Sequence, residues 1–229
     1  KQCVAIDVQG DVKLSSADAP GLSVWLAAQH ALRVQGGTCD SPCAALLTAP
    51  PAAGKTTLLS QIVAASLEGE LVPILVKVQR LQAALLAAPE TFAAAWNYID
   101  ACLRHEHGDG ALYRFLRQAL TSRRALLLVD GLDEGGTKRA EIEAHVSEVL
   151  APQGHVLLCT SRPSGLDVEG RFGAFRHLSL AALSPAQQAQ ALEQRLDKKQ
   201  AEALEPYLRD QVPTDTETGL KVTANPLML

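Results

Sequence analysis

The chain has 229 residues, of which 47% are apolar and 20% charged, and its net charge at pH 7 is −4. That balance calls for a packed core and excludes global disorder, and the length suits one full α/β domain with a smaller appendage. The acidic sign lacks the basic footprint of a nucleic-acid binder, and no apolar run approaches the ~20 residues a membrane span needs.

The opening "KQCVAIDVQGD" has no signal-peptide apolar region. Residues 1–14 suit a short strand or an extended lead-in. A helix is expected over 18–34, with Asp18 as N-cap and Pro20 in its first turn. "QGGTCDSP" (35–42) is turn chemistry. Apolar runs then alternate with helical patterns. Strands are expected at 43–49, 71–78, 124–130, 155–161 and 175–181, and helices at 55–68 and 136–150. Two or three more helices fit between 81 and 121, one of them spanning 90–105. From Ser184 onward the pattern reads as helical to the end, in three segments. Continuous apolar strands are those of a parallel sheet covered on both faces. The five cysteines include a Cys39-x3-Cys43 pair, but no second Cys/His pair follows at zinc-site spacing. A reducing, intracellular setting suits this usage.

Three expected strand ends carry polar chemistry. The first is "LLTAPPAAGKTTLLSQ" (46–61). The phosphate-loop pattern G-x-x-x-x-G-K-[ST] falls on Ala49, Pro50, Pro51, Ala52, Ala53, Gly54, Lys55 and Thr56, with alanine where the first glycine stands. Backbone N–H groups and a helix N-terminus solvate phosphate oxygens there. Lys55 is expected to reach the β- and γ-phosphates, Thr56 to offer its hydroxyl to Mg²⁺, and Thr57 to touch the α-phosphate. If the Ala49 position needs φ > 0, alanine is strained there. The second strand end is "ALLLVDGLDE" (125–134), which places Asp130 where a Mg²⁺-holding carboxylate belongs. Gly131 is expected to leave room beside the phosphates. Asp133 and Glu134 are both candidates to orient or deprotonate the attacking water, and the sequence does not rank them. The third is "HVLLCTSRP" (155–163). Arg162 is a candidate γ-phosphate contact, and Thr160 or Ser161 a candidate partner for the water.

With those stretches in place, the chain resembles the NACHT family of STAND signal-transduction P-loop NTPases. "LLLVDGLDE" and "TSRP" carry most of the resemblance. "LVPILVKVQRL" (71–81), "HLSLAALSPAQQAQAL" and the "NPL" at 225–227 add to it. The resemblance runs from about Ala44 to the last residue. It implies a three-layer P-loop NTPase fold with a mostly parallel five-stranded sheet, followed by a small helical subdomain. The corresponding division is a lead-in over 1–43, an NTPase core over 44–181 and a helical subdomain from 182 to 229. It also implies ATP/ADP and Mg²⁺ as ligands, Pro226 beside the adenine, slow hydrolysis, and self-association of the ATP-bound state. The family's winged-helix, effector and sensor domains are expected elsewhere in a longer parent chain.

Two other functions are open. A nucleotide-bound scaffold without hydrolysis fits the missing first glycine. A small-molecule P-loop kinase needs a substrate pocket among the 81–121 helices, where His105 and His107 lie in a solvated helix end.

Overall fold

The structure, a computed structural model, describes residues 8–10, 18–35, 43–196, 198–216, 219 and 221–225. Five parallel strands form its centre: β2 (Ala44–Thr48), β3 (Val72–Lys77), β4 (Ala125–Asp130), β5 (Val156–Ser161) and β6 (Arg176–Leu180). A three-residue strand, β1 (Val8–Gly10), pairs antiparallel with β6. The spatial order is β1-β6-β2-β5-β4-β3, so β3 is one edge of the sheet. β2 connects onward to β3 while β6 packs on its other side. The C-terminal ends of β2, β5 and β4 are therefore neighbours at the point where the winding reverses, where open α/β sheets bind ligands.

The apolar runs explain why the sheet is buried on both faces. Successive strand residues point to opposite sides. Leu46, Leu127, Val129, Leu157 and Cys159 enter one core, while Leu47, Leu126, Leu128, Val156 and Leu158 enter the other. The second core is closed by α1 (Ala19–Val34) and α2 (Lys55–Ser66), through Leu22, Leu26, Leu58 and Ile62. The first is closed by α3 (Val78–Ala87), α4 (Pro89–Ala93), α5 (Tyr98–His107), α6 (Ala111–Thr121) and α7 (Arg139–His145), which continues into a π-helical turn over Val146–Leu150. The result is a helix–sheet–helix sandwich. Asp18 caps α1 as expected, accepting from the Gly21 N–H.

Two sequence expectations differ from the fold. The helix anticipated over 90–105 is split. Asn97, fully buried, accepts from the Asp100 N–H at 2.8 Å and starts α5 afresh. An asparagine that caps competes with helix continuation. After α8 (Pro185–Arg195), opened by a Ser184/Gln187 capping box, and α9 (Lys198–Asp210), the described residues do not continue as the third helix expected, whose last four residues, 226–229, lie outside the described ones. Thr214 and Lys221 form an isolated antiparallel bridge, Gly219 has φ 68°, and a 3-10 turn follows at Val222–Ala224. Pro213 and Gly219 are the chain's reason: both interrupt a helix. Among the described residues no helix is long and apolar enough to cross a membrane, and no cluster of three or more metal-ligating side chains occurs.

Two histidines sit where protonation is costly. His145 stacks on Tyr98 at 3.8 Å and its Nε2 accepts the Tyr98 N–H at 2.9 Å. Burial lowers its pKa to about 4, against the opposing charge of Glu141. His155 is fully buried, and neither ring nitrogen has a partner among the described residues; burial, then Arg123 and Arg33, lower it to about 4. Unfolding releases each toward the ordinary value of 6.5. Between pH 6.5 and 4 the unfolded chain therefore binds more protons, and stability falls as pH falls. At pH 5 the loss relative to pH 7 is expected to be on the order of 2 kcal/mol per histidine. Urea unfolding at the two pH values checks it. Imidazole NMR signals of both residues should not titrate above pH 5; titration near 6.5 removes the argument.

Candidate functional site

The loop between β2 and α2 begins at Ala49, which is buried and donates its N–H to the Ser161 carbonyl at 3.2 Å. Pro50–Ala53 then forms a tight turn, closed by the Ala53 N–H on the Pro50 carbonyl at 3.4 Å. Pro51 occupies the second turn position and Ala52 the third, with φ 63°. Proline followed by positive φ defines a type II turn, whose third position favours glycine or asparagine. The strain anticipated at Ala49 therefore lies at Ala52, where a left-handed alanine costs about 1 kcal/mol. Ala49 itself does not have positive φ. Gly54, at φ 94°, precedes the first turn of α2, and only glycine takes that conformation without strain.

Lys55 opens α2 and folds back over the loop. Its Nζ donates to the carbonyls of Ala49 (2.9 Å) and Pro50 (3.0 Å). Burial pulls the Lys55 ammonium below the usual lysine range; Asp133 opposes this, Arg162 adds to it, and Asp130 and Glu134 oppose it. One lysine thus feels charges from both other strand ends. Thr56 and Thr57 are exposed on the first turn of α2. The Thr56 hydroxyl donates to Asp130 Oδ2 at 2.8 Å.

Asp130 ends β4, buried but for 8% of its surface. Its second oxygen accepts from the Thr160 hydroxyl at 2.9 Å, and the same hydroxyl accepts the Gly131 N–H at 2.9 Å. Thr160 and Ser161 are fully buried, and Ser161 Oγ donates to the Arg162 carbonyl at 3.0 Å. The two hydroxyls expected to partner a water are thus occupied inside the protein. Thr160 instead ties β5 to β4 and aims Asp130. Thr160→Val keeps the shape and leaves two buried groups unsatisfied. It should cost ~2 kcal/mol and lower the melting temperature by about 4–8 °C. An unchanged melting curve would mean the tie contributes nothing.

Gly131 (φ 79°) turns the chain into a 3-10 turn, Leu132–Glu134. A side chain at Gly131 would meet Glu134, whose Cδ lies 3.1 Å from the Cβ position. The room beside Gly131 is filled by Glu134. Glu134 is exposed, and its carboxylate makes no hydrogen bond or ion pair with the described residues. Asp133 is engaged: Oδ1 accepts the Arg162 N–H at 3.0 Å and Oδ2 pairs with Arg162 Nε at 2.9 Å. Asp133 is only 10% exposed, Arg162 47%.

The structure therefore brings together the loop 49–54, Lys55, Thr56, Thr57, Asp130, Asp133, Glu134 and Arg162. Pro226 lies outside the described residues. Its neighbour Asn225, to which the sequence assigned no role, donates from Nδ2 to the Pro51 carbonyl at 3.1 Å. No local pattern announces a contact spanning 174 positions.

A strand, a phosphate-type loop, a helix and an aspartate at the end of β4, bonded to the helix's first threonine, define a P-loop NTPase. The NACHT domain model matches residues 50–199, more than half of the chain, and the chain belongs to that family. It is a nucleotide-binding P-loop NTPase module. No curated protein matches it. A solved structure of C. elegans PCH-2 is similar at a TM-score of 0.45 and 15% identity, over 90% of this chain and 56% of that one. The chain thus spans little more than half of that protein's length.

Proposed function

We propose that this module is an ATP-dependent regulatory switch: it binds ATP or ADP with Mg²⁺, hydrolyses ATP slowly, and self-associates when ATP is bound, inside a longer cytoplasmic signalling protein. The observation that carries the reading is the Thr56 hydroxyl held 2.8 Å from the Asp130 carboxylate at the head of α2. An all-oxygen pair of this kind suits Mg²⁺ rather than a soft metal. Bound Mg²⁺–nucleotide supplies the electrophilic phosphorus and the cation that neutralises phosphate charge. Lys55 moves its ammonium from the Ala49 and Pro50 carbonyls to the β- and γ-phosphates. Loop amides from 49 to 54 and the Thr57 hydroxyl hold the remaining phosphate oxygens. Glu134, whose carboxylate has no side-chain partner at the site, orients the attacking water. Asp133 positions Arg162 for the γ-phosphate, and Pro226 lies by the base. The division at 43/44 and 181/182 keeps all three strand ends in the core and leaves α8, α9 and the last 3-10 turn as the attached helical part.

The kinase alternative is weakened by its pocket. The cleft between β3, α3 and α5 holds about 190 Å³, below the ~300 Å³ of ordinary small-molecule sites. A larger groove of about 490 Å³, lined by Leu71, Val72 and Phe115, lies at the start of β3, the far end of the sheet from the loop.

The test is direct. Denature the purified chain, identify any released nucleotide, then titrate ATP and ADP with and without Mg²⁺ while following phosphate release. Carried-over ADP or Mg²⁺-dependent binding supports the switch. Binding without phosphate release selects the scaffold. No binding at millimolar nucleotide overturns both.

A further inference from the structure

The contact between Asn225 and Pro51 joins two parts of the chain that sequence order keeps far apart. Asn225 is held by the 3-10 turn before it. The Leu183 N–H donates to the Ala224 carbonyl at 2.9 Å, and the Asn225 N–H to the Val222 carbonyl at 3.2 Å. Thr223 is buried and donates to Gln188 Oε1 on α8 at 3.1 Å. Asn225 is thus presented by a docked segment. Its amide meets the carbonyl of the peptide linking Pro51 to Ala52.

That peptide is the one that distinguishes type I from type II turns. The two turns share their ends and differ by a flip of the central peptide, which turns its C=O and N–H to opposite sides. Proline suits the second position of either. Alanine at the third position favours type I, which keeps φ negative; type II requires the positive φ that Ala52 has. Nothing local in Pro50-Pro51-Ala52-Ala53 explains why the strained turn forms. The Asn225 amide does: it donates to a carbonyl that is aimed at it only in the type II form. The peptide is trans and planar, so the Ala52 N–H points the opposite way from that carbonyl.

We propose that Asn225 is a positioning residue for nucleotide binding. It selects the type II turn of the phosphate loop and thereby presents the Ala52 N–H as a phosphate donor. This rests on the nucleotide reading above. Phosphate affinity is then coupled to the docking of the segment after α9: undocking it returns the turn to type I and withdraws one donor. The alanine at position 52, where the turn favours glycine, is compensated from outside the loop.

Two readouts test this on the whole chain. In the nucleotide-free protein, a strong NOE from Pro51 Hα to the Ala52 N–H marks type II, and it weakens when the peptide flips. Asn225→Ala should weaken that NOE and raise the dissociation constant for MgADP about fivefold, the effect of one ordinary hydrogen bond. Asn225→Asp, which offers no donor when ionised, should do at least as much. Ala52→Gly should restore the NOE in the Asn225→Ala background and bring affinity within about twofold, because glycine adopts positive φ unaided. An unchanged NOE in Asn225→Ala overturns the proposal even if nucleotide binds normally. So does an affinity loss from Asn225→Ala that is the same with and without Ala52→Gly. If wild type binds no nucleotide, the switch reading falls and the donor role with it, while the NOE still decides whether Asn225 sets the turn.

Discussion

Lys55→Ala is expected to raise the dissociation constants for MgADP and MgATP about a hundredfold or more, the loss of a charge-assisted contact to phosphate at a partly buried site. The ammonium is already placed over the loop, 2.9 and 3.0 Å from the Ala49 and Pro50 carbonyls. It needs only to turn to reach a phosphate. Burial lowers its pKa and Arg162 adds to this, while Asp133, Asp130 and Glu134 pull the other way. Lys55→Arg should not rescue it, because a planar fork does not replace a compact point charge. The fold should survive, since the lost contacts are two hydrogen bonds within the same loop, one of them exposed. Titration calorimetry measures the change. Affinity within threefold of wild type removes the phosphate-loop reading.

Glu134→Gln is expected to slow ATP turnover about a hundredfold, the scale of general-base loss, with nucleotide affinity nearly unchanged. Asp133 commits both oxygens to Arg162, through its backbone N–H and its Nε. The Glu134 side chain lies over Gly131, and its carboxylate has no hydrogen-bond or ion-pair partner among the described residues. Asp133→Asn should act differently: it frees Arg162 and is expected to weaken ATP more than ADP, because only ATP carries the γ-phosphate that Arg162 is proposed to contact. Single-turnover phosphate release and paired ATP and ADP titrations separate the two. If Asp133→Asn alone stops turnover and Glu134→Gln does not, the roles are reversed.

Much of this was legible in the sequence for a simple reason. A strand buried on both faces must be apolar at every position, so β2, β4 and β5 stand out as unbroken runs. The polar residue that ends each run must lie at the sheet's C-terminal edge. Asp130 follows from that rule, and Asp133, Glu134 and Arg162 from lying just past such ends; Lys55 and Thr56 are read instead from the phosphate-loop pattern. What could not be read depends on register or on distant chain. Thr160 meets Asp130 only because β5 pairs beside β4 with Val129 opposite Cys159. Whether Ala49 or Ala52 takes the left-handed conformation depends on where the turn closes. Asn97 looks like one polar residue inside a helical stretch until its side chain is seen on the Asp100 N–H. The segment after α9 has helical apolar spacing, but Pro213 and Gly219 outweigh it.

The position of β3 at the edge of the sheet has a consequence for self-pairing. The Val72 N–H donates inward to the Arg124 carbonyl at 2.8 Å, so alternate residues Pro73, Leu75 and Lys77 face their backbone outward. Pro73 has no N–H to offer, and Lys77 is exposed. A foreign strand arriving at this edge finds one of three donors missing and a positive charge, two devices that discourage cross-β templating. Together they bias encounters between copies of this chain away from strand addition and toward contacts made by side chains.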